Sequence, residues 1–312
     1  MGVIFFAVAL GLLALPAALC RLGRRLDPAE WSRFCLGSLI AGAALLEFTV
    51  VLYAAPTALR ALGIPELANL CERALGALAP GGRVLGWPAG AVAIALPVAM
   101  GVFVRRARRQ QAAVHVERCL GDHGEFAGHA LVVLPTETVV AFCANGPTPQ
   151  IVVSDGLVEA LGPDELAAVL RHEAAHLELG HQRVLVLAGA LARTLFLFPF
   201  VRKSTSVLRT GLERWADESA AGASPANRRQ LRRALLAVAT MKVNVAVPAF
   251  SAEDTVAERL DALGAEPVRP SLRRRLAAYA PAAVLSVAVV MAVGAFAGEA
   301  AHHLVAWSHH CP

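Results

Sequence analysis

With 312 residues, 56% of them hydrophobic and only 6% aromatic, and a mean hydropathy of +0.55, the chain is too apolar for an ordinary soluble domain and predicts several bilayer spans around a small soluble part. Its formal charge of +5 comes from arginine clusters beside apolar runs, the pattern of cytoplasmic membrane anchors, so direct nucleic-acid binding is not expected. Six cysteines, at 20, 35, 71, 119, 143 and 311, show no C-x-x-C spacing, which argues against a disulfide framework and a cysteine-type zinc site.

Four segments are long and apolar enough to cross a bilayer at about 1.5 Å per residue: 2–20, 34–56, 84–104 and 281–304. The first has no basic stretch ahead of it and is followed by Arg21, Arg24, Arg25 and Arg33, the reverse of a secretory leader, and reads as retained. Glu47 lies inside the second, where a carboxylate requires a buried partner or a role such as signal coupling. Arginines follow the third span at 105, 106, 108 and 109 and precede the fourth at 273 to 275, whereas the 57–83 loop mixes both signs. The positive-inside rule then puts both termini outside the plasma membrane and residues 105–280 in the cytoplasm. The expected organisation is a membrane unit over 1–104, a cytoplasmic domain over 105–280, and a final span with a short external tail over 281–312.

Within the cytoplasmic part, Gly162-Pro163-Asp164-Glu165 supplies a helix start and Gly180 a stop. Between them stands "RHEAAHLELG". His172 and His176, four apart, share a helical face and can hold one metal, and Glu173 beside the first can address a water at that metal. Zinc needs a third protein ligand and an open position. "GLERWADESAA", residues 211 to 221, offers Glu213 as ligand and Asp217, four residues on, to hold the free ring nitrogen of a ligating histidine. The expected cofactor is one Zn2+ per chain, with Glu173 as general base for peptide hydrolysis. His181, Arg183 and His129 are candidates for the oxyanion donor, His181 foremost. The apolar stretch 184–200 reads as a helix in the domain core or half in the membrane, with Arg193 towards polar surroundings, or as a re-entrant hairpin. As a single crossing it would separate Glu213 from His172 and His176.

HEAAH followed by ERWAD, behind three spans and ahead of one, resembles the BlaR/MecR-type membrane metallopeptidases and, more distantly, the HtpX-like ones. The likeness extends to "VVAFCANGPTPQIVVSDGLVEAL", residues 139 to 161, similar to the short strands ahead of that family's active-site helix. It implies a multi-pass α-helical membrane protein with a cytoplasmic α+β zinc peptidase domain of the gluzincin type. It also implies His172, His176 and Glu213 as zinc ligands, Glu173 as base and Asp217 as their support. An edge strand, Val139, Val140, Ala141, Phe142 and Cys143, would pair with the substrate peptide. The implied substrate is a BlaI-type winged-helix repressor. Only about eight residues, 305 to 312, follow the last span, so an extracellular penicillin-binding sensor is not expected here. The rival readings are an HtpX-like quality-control protease for membrane proteins and a non-catalytic signal transducer.

Three further features have duller explanations. His302, His303, His309, His310 and Cys311 could bind a metal outside the cell or be interfacial polar residues, and Cys71 and Cys311 could pair. The basic run 228–233 is expected to face solvent or anionic lipid.

Overall fold

The computed structural model describes residues 2–76, 82–113, 122–144, 149–242 and 252–266, with isolated positions from 276 to 298. The fourth expected span and the histidine-rich tail therefore lie outside the described residues, apart from those positions. Helix α1 (Gly2–Ala18) is followed by the short α2 (Cys20–Gly23) and by the long α3 (Pro28–Ala61). Helix α3 begins ahead of the expected residue 34 because Asp27 caps it, its side chain accepting from the Glu30 N–H at 3.0 Å with Pro28 in the first turn. After α4 (Pro65–Gly76), α5 (Gly82–Ala113) carries the third apolar segment on into the arginines.

Two of these helices are long and apolar enough to cross a membrane, α3 and the Val84–Gln110 part of α5, whereas apolar α1 is shorter. None of the most apolar stretch of α5 is buried within the protein, and Ile94 is 68% exposed. An apolar face of that length left open suggests membrane association. On the inner side, Phe5, Leu13, Leu39 and Leu45 of α1 and α3 form one buried cluster.

A four-stranded sheet follows, of β1 (Asp122–Phe126), β2 (His129–Leu134), β3 (Ala141–Ala144) and β4 (Gln150–Ser154), in the order β1-β2-β4-β3. Strands β1 and β2 form a hairpin, β2 runs parallel to β4, and β3 lies antiparallel to β4 at the edge. Ser154, fully buried, ends β4: its N–H donates to Val140 O at 3.0 Å and its Oγ accepts from Leu157 N at 3.2 Å, starting α6 (Asp155–Ala160). Ile151, Val153 and Leu157 then pack on Leu170 and Ala174 of α7 (Pro163–Glu178).

The stretch 184–200 forms a helical hairpin. Helix α8 (His181–Thr194) stops, the chain turns over 195–198, and Pro199 opens α9 (Pro199–Ala221). Leu195, Val201, Leu208 and Leu212 of the hairpin join the α1–α3 cluster, and Thr194 Oγ1 lies 3.8 Å from Met100 Sδ of α5. Phe196 and Leu197 at its tip are each 73% exposed. Because both arms fold back, α9 returns to α7. Gly211 permits a close crossing of α9 on α3, since a Cβ there would lie 2.8 Å from Ser32 Oγ.

Helices α10 (Pro225–Lys242) and α11 (Ala252–Gly264) close the domain. The expectation that the basic run 228–233 faces outward fails at Arg228. That residue binds Glu218 through two 2.7 Å hydrogen bonds and donates to the Ala262 and Leu263 carbonyls, joining α9, α10 and α11. Arg229, Arg232 and Arg233 are exposed.

Candidate metal centre and cleft

Helix α7 is set by its ends. At the start, the Gly162 N–H donates to Glu165 Oε2 at 3.3 Å and Pro163 occupies the first turn. At the far end Gly180 takes φ 66°, a left-handed conformation that turns the chain at once into α8. His172 and His176 thus lie one turn apart, buried, facing Glu213 of α9.

His172 Nε2 and His176 Nε2 are 3.1 Å apart, Glu213 Oε2 is 3.5 Å from the first, and Glu213 Oε1 is 3.7 Å from the second. A tetrahedral ion with bonds of about 2.0–2.1 Å has ligand-to-ligand edges of about 3.3 Å, so these atoms fit a zinc-sized cation. The carboxylate is held ionised: burial would raise its pKa, but His172, His176 and Arg259 bring it well below the usual range.

Asp217 stands behind His172, its Oδ1 3.0 Å from Nδ1. Burial would lower the pKa of that imidazole, but Asp217 and Glu213 outweigh it and push it up to about 10. The field that attracts a proton to the ring equally favours a dication in the proton's place.

His176 is supported differently. Its Nδ1 lies 3.0 Å from Nδ1 of His181, the first residue of α8. His181 is fully buried and rests against Trp215, ring centroids 5.1 Å apart, while Arg33 covers Trp215 at 4.9 Å. Burial pushes the His181 pKa down to about 4, so its ring stays neutral and can accept from His176. His181 lies behind the ligand and is not part of the cleft wall, a position for orienting His176 instead of contacting an oxyanion. His129, 3.7 Å from Glu178, and the exposed Arg183 are likewise absent from that wall.

The cleft holds about 900 Å3, and Glu173 lines it together with the three candidate ligands. Val139, Ala141, Phe142 and Cys143 form one side. Val140 instead exchanges hydrogen bonds with Ser154. Among the described residues β3 pairs with no strand but β4, and on its other edge the Cys143 carbonyl accepts from Gln182 Nε2 at 3.4 Å, a bond that an added peptide strand would replace. Burial, with Glu173 second, pushes the Cys143 thiol up to about 12, which leaves it unreactive.

Arg259 of α11 was not anticipated from the sequence. It grips Asp217 through two 2.8 Å hydrogen bonds and reaches Glu213 Oε2 at 3.2 Å. It sits 42 residues from Asp217, within "ERLDALG", and nothing in that run separates a buried arginine from a surface one. The same holds for Arg214, buried between Glu258 at 3.6 Å and the Gly23 and Arg24 carbonyls, which ties α9 to the turn before α3.

A His-His-Glu set on two packed helices, a second glutamate on the same cleft wall and an edge strand beside it fit a centre of the metallopeptidase class. Residues 106–252 match the model of peptidase family M48, and the match takes in the sheet and the helices bearing HEAAH and ERWAD. It supports a zinc metallopeptidase domain in this part of the chain. No curated protein and no solved structure matches the chain.

Proposed function

We propose that this protein is a membrane-bound, zinc-dependent endopeptidase that hydrolyses peptide bonds of protein substrates at the cytoplasmic face of the membrane. The observation that carries the reading is the convergence of His172, His176 and Glu213 within 4.8 Å, on the wall of a cleft that also holds Glu173 and the strand edge β3.

His172, His176 and Glu213 would hold the ion, which when bound supplies Lewis-acid chemistry, polarising a carbonyl and acidifying water. Asp217 and His181 fix the two imidazole rings from behind. The outer edge of β3 hydrogen-bonds the substrate backbone as an added strand and lays the scissile bond across the cleft. Glu173 takes a proton from the attacking water and returns it to the leaving amine. Arginines after α5's apolar segment support the cytoplasmic placement of this domain, with both termini outside. The resemblance to BlaR/MecR-type proteins supports a regulatory form of the reading, cleavage of a BlaI-type repressor. The HtpX-like resemblance supports clearance of damaged membrane proteins.

The test is zinc content and cleavage of casein and of a candidate repressor by the detergent-purified protein, Glu173→Gln and Glu213→Ala. About one zinc per chain, lost in Glu213→Ala, with cleavage abolished in Glu173→Gln, is the expected result. A chain that binds no metal overturns the reading.

A further inference from the structure

Helix α9 has two faces. Val201, Ser204, Leu208 and Leu212 are buried towards α1 and α3, with Ser204 Oγ accepting from the Ala17 N–H at 3.2 Å. The opposite face, with Arg202, Thr205, Ser206, Arg209, Thr210 and Glu213, lines the cleft, and Arg193 of α8 joins it from across the hairpin. Glu173 and Glu213 are the only carboxylates in the described lining, and Glu213 already faces Arg259. Arg214, Arg228 and Arg259 each pair with a carboxylate, whereas Arg193, Arg202 and Arg209 have none within ion-pair distance among the described residues. The cleft thus runs from a carboxylate-rich metal end to an end with three cationic side chains and no anion.

Distances along the helix give this asymmetry a register. Arg209 precedes Glu213 by one turn, about 6 Å, and Arg202 lies about 16 Å away at 1.5 Å per residue. An extended peptide advances about 3.3 Å per residue, so these arginines meet side chains roughly two and five residues from the bond at Glu213. We infer that Arg193, Arg202 and Arg209 form a substrate subsite for acidic side chains, selecting polypeptides with an Asp/Glu-rich segment about two to five residues to one side of the scissile bond. Leu235 and Val238 of α10 also line the cleft, and the three arginines are exposed, so the pairs they form with a substrate are partly screened by solvent. This subsite rests on the peptidase reading and states which substrates that same site prefers.

The experiment uses the full-length, zinc-loaded protein in detergent and fluorogenic peptides of one core sequence. Pairs of Asp, Gln or Lys are placed two to five residues from the scissile bond, on either side. The acidic set on one side should exceed the neutral set by up to about tenfold in kcat/KM, the size two or three exposed ion pairs produce together, mainly through KM. The doubly charge-reversed Arg202→Glu/Arg209→Glu protein should lose that preference and favour the lysine set. Equal use of the three sets, or an acidic preference that survives charge reversal, overturns the subsite. Fluorescence-anisotropy binding of the same peptides to Glu173→Gln separates its failure from that of the peptidase reading. Tighter binding of the acidic set, lost on charge reversal, supports the subsite even where no peptide is cut. Charge reversal that weakens only binding to phosphatidylglycerol vesicles assigns these arginines to the bilayer and overturns it.

Discussion

Asp217 and Arg259 show how much of the centre lies behind the ligands. Asp217 has Arg259 on one side and the His172 ring on the other; the carboxylate and the ring are buried, and the Arg259 side chain is 13% exposed. Asp217→Asn keeps the shape but removes the charge that raises the basicity of His172, so zinc affinity should fall about 10- to 100-fold in a chelator competition. Arg259→Gln leaves the Asp217 carboxylate buried without its cation and is expected to destabilise the domain by about 3–5 kcal/mol. Thermal unfolding should show that loss, with much of it recovered in the Asp217→Asn/Arg259→Gln double variant. Arg259 also lies 3.2 Å from Glu213, so removing it should alter zinc binding beyond what stability alone explains.

Among the elements, the turn from α7 into α8 and the α8–α9 hairpin decide whether the site assembles. Gly180 at φ 66° brings His181 directly behind His176, and a Cβ in that conformation costs about 1 kcal/mol or more. Gly180→Ala is therefore expected to lower Tm by a few degrees and loosen zinc at His176, measured by calorimetry with and without added metal. Gly211→Leu should do more harm, because its side chain has no room against Ser32. It would push α9 off α3 and shift Glu213 out of register with His172 and His176, so cleavage should fall with zinc content. Both motifs were legible in the sequence because helical spacing puts i and i+4 on one face. The reversal at 195–198 was less so: an apolar run of that length reads equally as core helix, interfacial helix or hairpin, and only its packing on α5 and α9 separates these.

For the molecule as a whole, the apolar helices and the zinc domain are one packed body in the described residues, joined through α9. The face of α9 opposite the cleft packs on α1 and α3. Under the proposed orientation, protease added to inverted vesicles should clip the exposed Gly222–Ala223 turn, while right-side-out vesicles stay protected. Cutting from the outer side would reverse the orientation read from the arginines. Chelation should abolish peptide cleavage and lower Tm by several degrees, with both restored by stoichiometric zinc, because the ion binds only where α7 and α9 meet.

The sequence by itself determined the apolar helices α1, α3 and α5, the helix that bears HEAAH, and the placing of Glu213 and Asp217 on one helical face, since each follows from local spacing, capping or hydropathy. Tertiary structure alone decided that His181 stands behind His176, that Arg214 and Arg228 join helices instead of facing out, and that Arg259 completes the centre. These are long-range placements of residues whose sequence neighbourhoods look like any amphipathic helix. The physical reason is that a buried charge is identified by its partner, and the partner is supplied by another element of the fold.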